Sequence, residues 1–447
     1  MTVFNRRIFL KTASAVAAVT EATSQTSGAE ERSAKAGYRP GRIPNEYSLF
    51  LPTEIERLSN APSVSAFDRL SVQARTGSQS KRLQQGEQID GWTLLAVARI
   101  NGSATAVFEK HVTHQGAIVY VTESEGVIAR IPKGIGDLSK IRPRPTHTPG
   151  GVKLERSARY KPGRDIAGDS ILNSEEDPCY ENVAALGNEY IGWSLVGNEE
   201  AGPLKSLFLT ANGTSRQLRP QPEGQGLWDP DLVGAVFDPL HIVGGDNPQL
   251  YQYVPGYSKR TLLGGFLPVA DTGVWNPTYQ AGYEAMVLLP PGTEATPMGR
   301  LRVFIPDGDG KGGGRYEDRY WNASAASFFS ALAGIWNRWN NFFEESMPVD
   351  IPDPWLLNAA RAGIVLSRCS YRGLEPTYQI GEGAYTKIPE RSHALFPVAH
   401  YEFIWAQQLW NLTASSYEYF QFYLEQYVLH DGNCFYNVQD QREAPLN

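Results

Sequence analysis

The chain has 447 residues, enough for two or three domains that each bury a core of their own. Its 41 basic and 48 acidic side chains give a formal net charge of −7 at pH 7, so the basic surface of a nucleic-acid-binding protein is not expected. Its 3 cysteines, Cys179, Cys369 and Cys434, are too far apart for a metal-binding motif or a disulfide framework, and we predict neither a metal nor a cofactor.

Residues 1–41 are predicted to be an export signal followed by a polar, disordered linker. Arg6 and Arg7 precede a short apolar run at 12–20, an order that resembles a twin-arginine signal. This run is too short to span a bilayer, and no later run is long and apolar enough. We therefore expect the export machinery as a partner, a periplasmic or secreted location, and a mature form outside the membrane. The alternative is a basic start followed by an ordinary helix.

Residues 42–320 are predicted to form an antiparallel, β-sandwich-type region. Runs such as GWTLLAVARI, GAIVYVTES and GRLRVFIP alternate partly between apolar and polar residues, and Gly, Asn and Ser separate them. This pattern is typical of antiparallel strands, and a block of this length favours a sandwich. Pro, Gly and charged residues crowd the stretch 142–178, which predicts a long loop.

Two motifs within this region are not expected to bind a ligand. His111 and His114 lie three residues apart on a predicted strand, whose period of two places them on opposite faces, so the pair is a poor metal site. The segment DGDGKGGGRYED at 307–318 resembles both a dinucleotide-binding loop and a calcium loop. No helix follows it at once, and Lys311 stands where calcium needs an oxygen ligand. We therefore interpret this segment as a mobile, glycine-rich loop.

Four helices are predicted after residue 320. The first, within 321–350, carries apolar residues along one side: Phe328, Phe329, Leu332, Ile335, Trp336 and Trp339. The second begins in IPDPWLLNAARAGIVLSRC, where Asp353 can cap the helix and Pro354 suits its first position. After a long loop, VAHYEFIWAQQLWNL and ASSYEYFQFYLEQYVLH predict two more helices.

The segments IPDPWLLNAARA, GLEPTYQIGEGAY and LFPVAHYEFIWAQQLW resemble the opening turns of the six-hairpin, (α/α)6-barrel glycosidase superfamily. In that superfamily a linker helix often joins a β-sandwich to a helical toroid. The resemblance therefore implies a multidomain β and α chain, with a linker helix at 321–350 and a partial toroid at 351–447. Residues 351–447 hold too few helices for six hairpins, so we expect the front part of a longer protein. Alone, this part is expected to expose apolar surface and to have little or no glycosidase activity.

The resemblance also implies a substrate funnel, lined by the loops at 371–397 and 431–447 that enter the inner helices. Glycoside hydrolysis needs one carboxylic acid to protonate the leaving oxygen and a second carboxylate to activate water or attack carbon. The candidate catalytic residues in these loops are Glu382, Asp440 and Glu443. The candidates for stacking on a sugar, or for hydrogen bonding to it, are Tyr378, Tyr385, Arg391, His393, Tyr436 and Arg442.

These expectations favour an exported glycoside hydrolase that acts on an oligosaccharide or a polysaccharide. Two alternatives stay open. A polysaccharide lyase would use a Tyr or His base beside an Arg, and all three residue types occur within 371–393. A non-catalytic glycan-binding protein, or an inactive fragment, would keep the aromatic funnel without a working carboxylate pair.

Overall fold

The computed structural model describes residues 60–111, 116–133, 137–140, 183–187, 192–198, 202–210, 233–237, 248–251, 258–292, 296–308, 313–347, 349, 354–369, 371–372, 374–376 and 397–432. Within these ranges the protein is mostly β, and its strands pair in antiparallel sheets. The predicted β-rich character is therefore confirmed for the described part of the chain. The toroid stays a prediction.

The first described residues form a three-stranded sheet and a five-stranded sheet, each in sequence order. The three-stranded sheet consists of β1 (Ser63–Phe67), β2 (Ser71–Thr76) and β3 (Gln79–Gln84). The first five-stranded sheet consists of β4 (Gln88–Ile89), β5 (Trp92–Ile100), β6 (Ser103–His111), β7 (Gly116–Thr122) and β8 (Gly126–Lys133). Asp90 and Gly91 have positive φ, as do Asn101 and Gly102. Such pairs form the type I′ turn that matches the twist of the two strands it joins.

The first five-stranded sheet contributes side chains to two cores. Leu94 and Phe108 pack on the three-stranded sheet, whereas Val107 and Ile131 belong to a larger core on the other side. Successive side chains of a strand point to opposite faces. The sheet is therefore a central layer that is covered on both faces.

A four-stranded sheet and a second five-stranded sheet follow. The four-stranded sheet has the order β12-β11-β10-β9, with β9 (Val183–Gly187), β10 (Gly192–Asn198), β11 (Gly202–Thr210) and β12 (Val233–Phe237). The second five-stranded sheet pairs consecutive strands: β13 (Ser258–Leu262), β14 (Val269–Asn276), β15 (Ala281–Leu288), β16 (Met298–Pro306) and β17 (Gly314–Trp321). Its Leu301 and Val303 join the larger core, so the two five-stranded sheets share one interior.

The glycine-rich segment at 307–318 is only partly a loop. Residues from Gly314 onwards belong to β17, where Arg315 pairs with Ile305 and Asp318 pairs with Arg302 of β16. The prediction of a loop through residue 318 was therefore wrong for this end of the segment. Cross-strand pairing overrides the weak strand propensity of glycine here. Gly314 is also required sterically, because a Cβ at this position would lie 2.4 Å from the Phe304 ring.

Helix α1 (Ala325–Glu344) follows β17 directly and packs into the shared core. Ser324 caps it, accepting a hydrogen bond at 3.1 Å from the backbone N–H of Ser327, whose side chain in turn accepts one from the Ser324 backbone. The buried side consists of Phe328, Phe329, Leu332, Ala333, Ile335, Trp336, Trp339, Phe342 and Phe343. The Tyr120 hydroxyl of β7 donates a 2.9 Å hydrogen bond to the backbone carbonyl of Phe329. Helix α1 is therefore attached to the first five-stranded sheet by both apolar and polar contacts.

The remaining helices are α2 (Pro354–Cys369), α3 (Pro397–Leu409) and α4 (Thr413–Tyr427), with a short hairpin of β18 (Tyr371–Arg372) and β19 (Glu375–Pro376) after α2. Ala362 and Val365 of α2 join the shared core. Among the described residues, no helix combines the length and apolarity needed to cross a bilayer.

Helices α3 and α4 form an antiparallel hairpin. The side chain of Gln407 bonds to Ser415, and the Phe403 ring packs edge-on against the Tyr419 ring at 5.1 Å, so later positions of α3 meet earlier positions of α4. Asn411, with a φ of 58°, ends α3 in the left-handed conformation. An antiparallel hairpin brings the start of α3 and the end of α4 to the same side.

Candidate functional site

A group of charged side chains lies between the two five-stranded sheets, and we call it the charge cluster. Its members are Glu109 and His111 of β6, Lys133 of β8, Glu284 of β15, Arg300 and Arg302 of β16, and Asp318 of β17. Glu109 and His111 are two residues apart, as are Arg300 and Arg302, so each pair shares one face of its strand. The alternation of side chains along β6 and β16 therefore brings these four members of the charge cluster together.

Glu109 is the centre of the charge cluster. The Lys133 ammonium donates hydrogen bonds to Glu109 and, at 2.7 Å, to Glu284 Oε2. The Arg300 guanidinium donates from Nη2 to Glu109 Oε2 at 2.7 Å and to Asp318 Oδ2 at 2.9 Å. Both oxygens of Glu109 are thus held by cations, one from its own sheet and one from the other.

The charges of the cluster balance one another. Glu109, Glu284 and Asp318 carry three negative charges, and Lys133, Arg300 and Arg302 carry three positive charges. Removing ionised groups from water costs several kcal/mol each, and close pairing with hydrogen bonds offsets this cost. Burial alone raises the pKa of the Glu109 carboxyl, but Arg300, His111 and Lys133 outweigh it and hold that pKa well below the ordinary value.

The tautomer of His111 follows from its hydrogen bonds. Arg302 Nη1 lies 2.9 Å from His111 Nδ1, and His111 Nε2 lies 3.2 Å from Glu109 Oε2. A guanidinium can only donate, so Nδ1 accepts and the proton of a neutral ring is on Nε2, which faces Glu109. Burial and the charge of Arg302 lower the pKa of this imidazole, although Glu109 partly opposes them.

Tyr316 of β17 covers the outer end of the charge cluster. Its ring lies over the Arg302 guanidinium at 3.6 Å and stacks with the His111 ring at 6.0 Å. Its hydroxyl donates a hydrogen bond to Asp137 Oδ1 at 3.3 Å. Burial, with the charge of Asp137 and against that of Arg302, raises the pKa of Tyr316 to about 12, so the phenol stays protonated at neutral pH. The Tyr316 side is the solvent-facing end, since 39% of this residue is exposed.

The chemistry available to the charge cluster is limited. Glu109 is engaged by fixed cations, which stabilises its ionised form and makes it a poor general acid. Among the residues that the structure describes, no group of three or more His, Cys, Asp or Glu side chains has the geometry of a metal site. The cluster therefore joins the two sheets, and His111 is the member whose side-chain type has its ordinary pKa closest to neutral pH.

A second feature is a pair of exposed rings on α3, which we call the aromatic pair. Tyr401 and Trp405 are one helical turn apart, with ring centroids separated by 5.9 Å and planes inclined by 31°. They are 37% and 49% exposed, and Leu409, one turn further on, is 57% exposed. Large exposed aromatic groups that lie side by side are typical of a binding surface.

The predicted catalytic and sugar-binding residues lie outside the described residues. This applies to Glu382, Asp440, Glu443, Tyr378, Tyr385, Arg391, His393, Tyr436 and Arg442, and to Arg6 and Arg7 of the signal. Their roles therefore stay predictions.

The charge cluster was not predicted, although Glu109, Arg300 and Arg302 interrupt apolar runs of the sequence. The sequence signal that could have predicted the cluster is a charged residue at a strand position where alternation places the side chain toward the core.

Comparison with models of protein families, with curated proteins and with solved structures gave no match for this chain.

Proposed function

We propose that this chain is an exported, carbohydrate-active protein of the glycoside hydrolase type, and that α2 to α4 belong to an (α/α)6 toroid. The observation that carries the proposal is the aromatic pair on the α3–α4 hairpin. The C–H faces of a sugar stack on flat aromatic rings, and a Tyr hydroxyl or Trp N–H can bond to its hydroxyl groups. Two neighbouring exposed rings therefore suit consecutive sugar units of a chain.

The position of the aromatic pair is consistent with catalysis by the predicted carboxylates. Tyr401 lies near the start of α3, on the side of the hairpin where α4 ends. The loop before α3 carries Glu382, and the segment after α4 carries Asp440 and Glu443. We propose that Glu382 and Tyr385 lie with Asp440 or Glu443 around one concave surface, where two carboxyl groups would cleave the glycosidic bond.

The test of catalysis is release of reducing sugar from a panel of polysaccharides and aryl glycosides, by a purified protein in which any missing part of the barrel has been restored. We expect Glu382→Gln, and either Asp440→Asn or Glu443→Gln, to lower the rate by about a hundredfold or more. Glu418→Gln is the matched control, because Glu418 is an exposed carboxylate on α4. Equal activity of the wild type and all three loop variants would rule out these carboxylates.

The aromatic pair also supports a second function, that of a non-catalytic glycan-binding protein. Affinity electrophoresis in gels that contain each polysaccharide separates the two. Trp405→Ala should abolish retardation, whereas Leu409→Ala, which removes an equally exposed apolar group from the same helix, should keep it. Retardation without product would favour the binding protein. An unsaturated product would favour a polysaccharide lyase.

A further inference from the structure

His111 joins the two five-stranded sheets through hydrogen bonds that only one protonation state allows. Its Nε2–H faces Glu109 on its own strand, and its Nδ1 faces Arg302 on β16 of the other sheet. We propose that His111 is an acid-sensitive latch, which holds Arg302 at neutral pH and releases it when Nδ1 is protonated. This inference does not depend on the proposed carbohydrate activity.

The geometry at Nδ1 explains why protonation of the ring would release Arg302. A second proton on the ring would point at the Arg302 Nη1–H across 2.9 Å, so two donors would face each other and two cations would be adjacent. Neither group can become an acceptor while it stays charged. Arg302 must therefore withdraw from the ring, and its position under the Tyr316 ring at 3.6 Å is disturbed with it.

The other charged groups around His111 determine the response. Those that touch the ring or influence its charge are Glu109 of β6, Lys133 of β8, Arg302 of β16 and Tyr316 of β17. Those one contact further away are Glu284 of β15, Arg300 of β16, Asp318 of β17 and Asp137. Glu109 favours the imidazolium, but it already accepts from Lys133 and Arg300. Its attraction is thus shared, and the contact with Arg302 opposes protonation.

The latch is within reach of solvent protons, because 21% of the His111 side chain is exposed. The pKa of His111 is lower in the folded protein than the ordinary value of 6.5, so the unfolded or opened form binds the proton first. The stabilising effect of the neutral ring is complete above about pH 6.5 and decreases as the pH falls toward the folded value. The opening equilibrium constant rises by at most tenfold per pH unit in this window, where Glu109 remains ionised.

Hydrogen exchange of the full chain at about pH 7.5 and about pH 5 tests the latch, after correction for intrinsic exchange rates. We expect the protection of the β16 and β17 amides to fall at the lower pH, by up to about thirtyfold. The amides of the β2–β3 hairpin are the internal reference. In His111→Asn the side-chain oxygen replaces Nδ1 as the acceptor for Arg302 and does not titrate, so the pH effect should disappear.

Two results would overturn the proposal: protection of β16 and β17 in the wild type that does not depend on pH, or a pH effect that His111→Asn retains.

A second measurement uses only the wild type, so it does not depend on whether the His111→Asn variant folds. Nitrogen chemical shifts of labelled imidazoles should show the Nε2–H tautomer for His111 at neutral pH. A doubly protonated His111 ring at neutral pH would also overturn the latch.

Discussion

Lys133 of β8 donates a 2.7 Å hydrogen bond to Glu284 of β15, so a buried ion pair joins the two five-stranded sheets. Both side chains are about fully buried, at 0% and 1% exposure. Removing one partner of such a pair lowers the free energy of unfolding by more than the intact pair raises it. The reason is that the remaining charge is left unpaired in an apolar interior.

Lys133→Met is therefore expected to lower the free energy of unfolding by about 3–5 kcal/mol, measured by urea denaturation at neutral pH. The double variant Lys133→Met/Glu284→Met should lose less than the sum of the single variants, since it removes both charges. The control is Arg82→Met, which breaks the exposed Arg82–Asp68 pair at 2.6 Å. A loss comparable to that of Arg82→Met, within about 1 kcal/mol, would show that the buried pair matters little.

The acid limb of the stability profile is expected to depend on Glu109. Its pKa is well below the ordinary 4.5 in the folded protein, so its contribution is present above that value and is lost as the pH falls through the folded value. Glu109→Gln should be less stable at neutral pH and should lose less stability on acidification. The measurement is the urea midpoint at a series of pH values below about 4.5, where one such group contributes up to about 1.4 kcal/mol per pH unit.

Glu87→Gln is the control for this acid limb, because Glu87 is an exposed carboxylate that pairs with Lys81 at 3.7 Å. The acid limb of Glu109→Gln should be shallower than that of Glu87→Gln. An unchanged acid limb in Glu109→Gln would mean that other carboxylates govern acid unfolding.

The end of α3 offers a test of local backbone geometry. Asn411 has a φ of 58°, and the amides of Asn411 and Leu412 bond to the carbonyls of Gln408 and Gln407, both at 2.9 Å. This is the Schellman arrangement, in which a left-handed residue follows the helix. Asn411→Ala should lower the free energy of unfolding by about 1 kcal/mol, because a Cβ without a polar group disfavours this conformation.

Asn411→Gly is the matched variant, and it should be as stable as the wild type or slightly more stable, since glycine adopts positive φ readily. Thermal unfolding followed by circular dichroism compares the three proteins. If the two variants lose the same stability, the side chain of Asn411 and not its backbone conformation is important.

The export prediction concerns Arg6 and Arg7. The double variant Arg6→Lys/Arg7→Lys should accumulate in the cytoplasm, because twin-arginine export distinguishes the two basic residue types. Cell fractionation and immunoblotting measure the distribution, and Arg32→Lys/Arg42→Lys in the following segment is the control. Complete export of the Arg6 and Arg7 variant would contradict the signal prediction.

The β-rich part of the fold was predictable because its signals are local. Alternating runs end at Asn101-Gly102 and similar pairs, whose turn geometry fixes each hairpin. Helix α1 was predictable in the same way, from apolar residues at helical spacing. Which sheet packs on which depends on contacts between distant residues, and a single sequence does not carry that information.

The charge cluster illustrates this limit. Glu109 and Arg300 are 191 residues apart in the sequence. The sequence of one strand does not indicate that its charged residue pairs with a charged residue on the other strand. In the sequence His111 lies close to His114, a spacing that suggests a metal pair but that strand alternation argues against. Its actual partner Arg302 comes from the second sheet. The predicted carboxylates Glu382, Asp440 and Glu443 depended on resemblance, and the structure does not describe them.

The consecutive strand order of the two five-stranded sheets has a consequence for the order of folding events. Neighbouring hairpins close short loops and form within microseconds, whereas the Glu109–Arg300 contact must close a much longer loop. Each sheet should therefore form before the two dock. Because Glu109 already pairs with Lys133 inside the first sheet, a ribosome-bound chain can neutralise that carboxylate long before Arg300 has been synthesised.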